Sequence, residues 1–248
     1  TENKKDKKIA NWINETMGEK PVYLNNEMKE ASVTQISKYL NDIGYFNSGI
    51  STVINNKKGI AKITYNIYPA RPYIIDSVSY KISDSTILDY ILEIEPTLPI
   101  KKGEIYNAFN FDEERDLITE HLNNNGYFYF TKDYVFMEVD TNFREFKANV
   151  IVRIDNVINQ TTQKTENHKQ FYINNIYIYP KGTSQNKINI DTTLYTVNLG
   201  KRNGIQTYNF IYSGNPKIRF KTFDNLIHIS SGSLYNSRNV SLTYKALN

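Results

Sequence analysis

The sequence predicts an α+β fold made of tandem repeats, each a three-stranded mixed sheet covered on one face by two helices. Three observations predict this fold. A short segment recurs after 82 residues, helix-like apolar spacing precedes each copy, and alternating apolar and polar residues follow it. Tyrosine is also abundant, at 20 of 248 residues, and this side chain favours pleated sheet.

The recurring segment is a glycine followed by two aromatic residues. These residues are Gly44, Tyr45 and Phe46 in the first copy and Gly126, Tyr127 and Phe128 in the second. A glycine after a helical stretch predicts a positive φ that ends the helix. The aromatic rings are interpreted as structural residues that fill the junction between helix and sheet, because aromatic side chains dominate core energetics.

Apolar residues at helical spacing precede both glycines. The first stripe is Val33, Ile36, Leu40 and Ile43, and the second is Phe111, Ile118 and Leu122. Asn110 and Glu113 fit a capping box for the second of these helices. A further helix is predicted ahead of it, with an N-cap in the stretch 84–87 and one apolar face formed by Ile87, Leu88, Ile91 and Leu92.

Strands are predicted after each glycine. In the first copy, residues 50–54 lead through a turn at 55–59 into the alternating residues 61–67. In the second copy, residues 134–139 lead through a turn at 140–142 into 148–154. An opening strand with the same apolar spacing begins near Tyr73 and again near Phe171. The complete repeat therefore reads strand–helix–helix–strand–strand.

The repeats divide the chain into four segments. These are a partial first repeat (1–71) with an N-terminal helix at 4–17, a complete repeat (72–155), a polar linker (156–169) and a third repeat (170–248). The third repeat is expected to carry an inserted hairpin, with strands at 208–212 and 217–220 around a turn at 213–216. It is also expected to end inside its second helix, without its last two strands.

Composition and motifs give little support for chemistry. Cysteine is absent, which excludes disulfides, thiol nucleophiles and Cys-ligated metals. The three histidines, His121, His168 and His228, share no metal-ligand spacing, and no glycine-rich phosphate loop occurs. The acidic cluster 112–114 is interpreted as stabilising a helix N-terminus. We therefore predict no catalytic residue, no metal ligand and no cofactor.

The order of these elements resembles the POTRA (polypeptide-transport-associated) domain. The resemblance extends to residues 18–24, to Gly103, Ile105 and Tyr106, and to Glu114-Arg115 in the second helix. The sequence is similar to the periplasmic arm of the BamA/TamA family of outer-membrane proteins. Within that family it most resembles the lipid-anchored TamA-like (TamL) members. In that family such domains precede a membrane β-barrel, so the chain looks like an excised, monomeric fragment.

The resemblance implies a non-enzymatic role in the periplasm. The implied partners are unfolded outer-membrane precursors and periplasmic or inner-membrane-anchored assembly proteins, either TamB-like or Bam-type, with no nucleic acid. A glycan- or nucleic-acid-binding module that uses tyrosine faces and the net charge of +4 is the alternative.

The second strand of the middle repeat is the candidate binding site. The crossover is expected to place the first strand against the last, which leaves the second strand at the edge of the sheet. An exposed edge offers unpaired N–H and C=O groups to an incoming strand. The predicted peptide-docking residues are Tyr134, Val135, Phe136, Met137 and Glu138.

Overall fold

The computed structural model describes residues 25–57, 59–141, 145–179, 192–201, 204–213 and 218–247. The helix predicted at 4–17, the motif at 18–24 and most of the turn at 213–216 lie outside these ranges. The chain divides into two compact units, Thr1–Tyr73 and Ile74–Asn248, which are described separately. None of the helices within the described ranges is long and apolar enough to cross a membrane.

The first unit contains one helix and one hairpin in its described part. Asn25 caps helix α1 (Asn26–Asp42), and its side chain accepts a hydrogen bond from the Met28 N–H at 2.9 Å. Strands β1 (Gly49–Lys57) and β2 (Ile60–Tyr68) pair antiparallel. The predicted start of the turn at residue 55 is wrong, because residues 55–57 still pair with β2. Gly59, with a φ of 78°, provides the positive φ of a short turn.

The second unit opens with the predicted three-stranded mixed sheet. Its strands are β3 (Ile74–Ile82), β4 (Val135–Asp140) and β5 (Lys147–Ile154), in the order β3-β5-β4. The first strand pairs parallel to the last, and the last pairs antiparallel to β4. The predicted α+β class and this crossover are confirmed. The crossover places β4 at one edge of the sheet.

Two helices cover one face of this sheet. They are α2 (Ser85–Ile94) and α3 (Phe109–Asn124). The fully buried core side chains between helices and sheet are Ile87, Ile91, Ile118, Leu122, Val135 and Val152. Burial of these apolar stripes contributes about 25 cal/mol per Å² of apolar surface removed from water. The stripe prediction fails at Leu92, which is 46% exposed.

The two helix starts differ in how well the sequence predicts them. Asp84 accepts a hydrogen bond from the Thr86 N–H at 3.0 Å, so this N-cap is confirmed. The capping box at Asn110 is wrong, because α3 already begins at Phe109. The Asn107 side chain accepts the Phe109 N–H at 3.0 Å and closes a local turn one residue before the helix.

The segment predicted as a linker, 156–169, has local structure. Strands β6 (Val157–Ile158) and β7 (Thr165–Glu166) pair antiparallel within it. The Asn159 side chain accepts the N–H groups of Thr161 and Thr162 and so closes the turn between them. Its polar side chains are therefore used in local hydrogen bonds that composition alone does not predict.

The third repeat holds a second three-stranded sheet. Its strands are β8 (Tyr177–Ile178), β9 (Thr192–Lys201) and β10 (Gly204–Ser213), in the order β8-β10-β9, and helix α4 (Ser237–Leu247) follows. The predicted strand at 208–212 is confirmed as part of β10. Its predicted partner at 217–220 is wrong, because β9, which precedes β10, completes the hairpin and 220–223 form a helical turn.

Candidate functional site

The candidate site is the outer edge of β4. Within the described residues β4 pairs only with β5, so its other side is an edge of the sheet. Four of the five predicted docking residues lie in this strand, and Tyr134 ends the short helical turn 132–134 that precedes it. The alternating hydrogen bonds of an antiparallel pair decide which backbone groups face outward.

The phase of the ladder is fixed at the start of β4. The Asp155 N–H donates to the Tyr134 carbonyl at 3.0 Å, so residue 134 directs its backbone groups towards β5. Successive residues alternate, and the register pairs Val135 with Ile154 and continues to Asp140. The N–H and C=O groups of Val135, Met137 and Val139 therefore point away from the sheet.

The first of these three positions is already closed. The Val135 N–H donates to the Lys132 carbonyl, and the Val135 carbonyl accepts from Arg115 Nε at 2.8 Å. Met137 and Val139 have no partner for their outward backbone groups among the described residues. The open part of the edge thus offers two N–H donors and two carbonyl acceptors, one of each from Met137 and from Val139.

A groove of about 390 Å³ runs beside this open part of the edge. It is formed by the start of α3, by β4 and by one residue of β5. Its lining residues are Ala108, Phe111, Asp112, Arg115, Phe136, Met137, Glu138 and Arg153. Four of these residues are charged, and the others include the apolar side chains of Phe111, Phe136 and Met137. Side-chain contacts next to unpaired backbone groups are what an extended peptide requires for affinity and for side-chain selection.

The charges beside the groove are paired with one another. Arg153 Nε donates to Glu138 at 2.7 Å, its Nη1 donates to Asp155, and its guanidinium lies 4.5 Å from the centre of the Phe136 ring. The hydrogen bond to Asp155 raises the pKa of Arg153 further above its ordinary value. One guanidinium therefore pairs with two carboxylates on this face of the edge.

The opposite edge of the sheet is partly covered. The Gly103 N–H donates to the Ile75 carbonyl at 2.8 Å, and the Ile75 N–H donates to Glu104 at 2.9 Å. The third repeat has the same pair of bonds, between Ile173 and residues 232–233. These repeated bonds brace the start of the opening strand in both repeats.

The glycine-aromatic motif of the middle repeat lies where this repeat meets the third one. Gly126 has a φ of 94°, as predicted, and its carbonyl accepts the Phe171 N–H at 2.8 Å. Tyr127 is 2% exposed and belongs to the core. Phe128 is 47% exposed and packs edge-on against Tyr235, with 4.8 Å between ring centres. Only the tyrosine fits the predicted role within its own repeat.

The first copy of the motif makes the same backbone bond. Gly44 has a φ of 89°, and its carbonyl accepts the Tyr73 N–H at 2.9 Å. Phe46 packs edge-on against Tyr73 at 4.9 Å, and Tyr45 donates its N–H to the carbonyl of Leu40. The glycine thus ends the helix, and its carbonyl also accepts a hydrogen bond from the N–H of Tyr73.

The three histidines have different surroundings, and one of them contacts a predicted docking residue. His121 is 3.5 Å from Glu93, and His168 is buried between the rings of Phe130 and Tyr134. The backbone N–H of His228 donates to Thr243. Within the described ranges no three His, Asp or Glu side chains come together as a possible metal site.

Glu114 is a buried residue that the sequence analysis placed wrongly at a helix N-terminus. Its side chain is fully buried, Oε2 accepts the Ile100 N–H at 3.0 Å, and Oε1 has no partner among the described residues. Burial raises the pKa of Glu114 to about 7. The spacing in the sequence indicates this burial, because Glu114 lies four residues before Ile118 and therefore on the same buried face of α3.

Comparison with protein families decides the domain type. The family model POTRA, described as "Surface antigen variable number repeat", matches residues 2–70 and 74–191. The chain belongs to the POTRA family. A search of the curated proteins finds no match.

Solved structures similar to this POTRA chain include domains of larger proteins. POTRA domains 3–5 of BamA from Haemophilus influenzae have 14% identity and a TM-score of 0.43, with 88% of this chain and 68% of that one covered. BamA from Haemophilus ducreyi lacking POTRA domains 1–3 has 12% identity and a TM-score of 0.31, with 74% and 27% covered.

A third similar structure comprises POTRA domains 1–3 of the periplasmic domain of Omp85 from Anabaena. It has 14% identity and a TM-score of 0.29, with 53% of this chain and 51% of that one covered. The chain thus spans only part of these proteins. Family membership therefore establishes the type of domain and not the activity of a whole protein.

Proposed function

We propose that this chain is a non-enzymatic POTRA arm that binds unfolded polypeptides in the periplasm by strand addition to the edge of β4. The observation that carries the proposal is the pair of outward-facing residues, Met137 and Val139, whose backbone groups have no partner among the described residues and lie beside the groove. An extended peptide supplies the complementary donors and acceptors.

The proposed organisation keeps three repeats, at 1–71, 72–155 and 170–248, joined by 156–169. The proposed clients are outer-membrane precursors, and the proposed partners are assembly proteins of the TamB-like or Bam type. A TamA-like role close to the TamL members remains part of this proposal. The paired charges of Arg153 at the edge favour a polypeptide over a nucleic acid, which requires unpaired basic groups for its phosphates.

A proline at position 139 tests strand addition directly. The Val139 N–H faces outward, so Val139→Pro removes a donor from the open edge and leaves the ladder to β5 intact. Val139→Ala is the matched control, because it shortens the side chain and keeps the donor. We expect a photo-reactive residue at the partly exposed position 138 to cross-link unfolded outer-membrane precursor in the alanine background.

The proline background is expected to lose these adducts. Far-UV circular dichroism and the urea midpoint report whether both variants remain folded. Equal cross-linking in the two backgrounds, or adducts that form only from other edges, would show that β4 is not the docking strand.

A further inference from the structure

Arg115 reaches from α3 to the first residue of β4. Its Nε donates to the Val135 carbonyl at 2.8 Å, and its Nη1 lies 3.4 Å from the Asp112 carboxylate, one helical turn earlier. Because the Val135 carbonyl faces away from β5, the guanidinium occupies the position that the N–H of an incoming strand would take. The side chain is only 31% exposed, so it is held along the helix surface.

Asp116, the next residue of α3, supports the same closure of the edge at Val135. The Lys132 ammonium lies 3.3 Å from Asp116, and the Lys132 carbonyl accepts the Val135 N–H. The Val135 side chain is itself fully buried in the core. Two consecutive residues of α3 therefore fix the start of β4, one through the Val135 acceptor and the other through the turn that takes up its donor.

We propose that Arg115 is a latch that closes the edge at Val135 and thereby sets the register of strand addition. Pairing then begins at Met137 and includes Val139, with no hydrogen bond at Val135. This inference rests on the proposed function, since it names the residue that limits where the polypeptide binds.

The register fixes which side chains of the bound strand enter the groove. Met137 packs towards the helices, so a residue paired with it points to the same face, beside Phe111. The residues of the bound strand that flank this paired residue lie on the other face of the sheet, beside Glu138 and Arg153. The bound polypeptide is therefore a segment with an apolar residue opposite Met137 and polar residues flanking it.

The first repeat lacks this latch in sequence. The residue 82 positions before Arg115 is Val33, which has no donor. Arg115→Val thus introduces the side chain that the other repeat carries at the equivalent position. Arg115→Met removes the donor and keeps the length of the stem, which makes it the better-matched variant for a binding measurement.

The test compares Arg115→Met with Glu113→Ala in the intact chain. Glu113 is an exposed residue of α3 that does not line the groove, so the second variant leaves the Nε bond from Arg115 to Val135 in place. The probe is a fluorescent synthetic peptide with alternating apolar and polar residues, N-methylated on one edge so that it cannot self-associate. Because the chain has no cysteine, one cysteine at position 138 and one at each successive peptide position report the register by disulfide formation.

The Arg115→Met variant is expected to bind the peptide about two- to tenfold more tightly, because one freed acceptor adds one net hydrogen bond. Its disulfide pattern should extend towards position 135, whereas Glu113→Ala should match the unmodified chain. Arg115→Val should change affinity and register in the same direction, and urea midpoints verify folding. Peptide binding at position 138 with no change in affinity or register on loss of Arg115 overturns the latch. If the peptide binds neither the unmodified chain nor any of the variants, the proposed function is overturned, and the latch with it.

Discussion

Replacing Gly126 with alanine is expected to destabilise the second compact unit by about 2–4 kcal/mol. The φ of 94° at Gly126 is the first cause, because an L-residue in this left-handed region costs about 1–2 kcal/mol. The second cause is space. An added Cβ would lie 2.6 Å from Cδ1 and 2.8 Å from Cγ of Leu234, and 3.3 Å from the Cβ of Gln170.

The steric cost falls in the lower half of the roughly 1–3 kcal/mol that overpacking causes, because the Leu234 side chain can rotate away. Gly103 provides the matched control. Its φ is 91°, and a Cβ there would meet nothing within 4 Å. Gly103→Ala should therefore lose only the backbone component, about 1–2 kcal/mol.

Urea unfolding followed by far-UV circular dichroism measures both variants, with the slope m compared to verify that the same transition is observed. The double variant Gly126→Ala with Leu234→Ala should recover the steric part, which a double-mutant cycle reports as a coupling energy. Equal losses at Gly126 and Gly103, or no coupling to Leu234, would refute the argument that the middle repeat is packed against the third one at this glycine.

Three further predictions concern the same unit. Asp84→Ala should lower the free energy of unfolding by about 1 kcal/mol through loss of the N-cap of α2, whereas Ser85→Ala on the exposed first turn should change it little, as urea unfolding will show. Glu114 has a pKa of about 7 in the folded state, above its ordinary value, so its contribution to stability is complete below about pH 4.5 and declines as the pH rises through 7. Glu114→Gln should remove this decline of roughly 1–3 kcal/mol from the pH profile of unfolding, and an unchanged profile would contradict the assignment. Phe128→Ala should separate the unfolding of the middle and third repeats into two calorimetric transitions, whereas truncation of the exposed Tyr244 should leave one; a single transition in both would show that the Phe128 contacts do not couple the repeats.

The parts of the fold that could be predicted from sequence are those set by local pattern. The alternation in 148–154 specifies β5, and the glycine at 126 specifies the end of α3, because each signal depends only on neighbouring residues. The edge position of β4 followed from the order of elements and is confirmed by the strand pairing.

The errors arise where distant residues decide the outcome. The alternation of Tyr195, Val197 and Leu199 favours a strand at β9, but only the strand pairing shows that β10 takes its partner from before it in the chain. Glu114 is buried because Ile100, 14 residues away, supplies an N–H that satisfies one carboxylate oxygen. The closure of Val135 by Arg115 likewise spans 20 residues and leaves no mark in the local pattern.

The bond from the motif glycine joins backbone to backbone in both copies, to Tyr73 at the end of the first unit and to Phe171 at the start of the third repeat. A connection of this kind does not depend on which side chains the adjoining surfaces carry. The surfaces around the motif glycine can therefore diverge in sequence between the copies without losing this hydrogen bond.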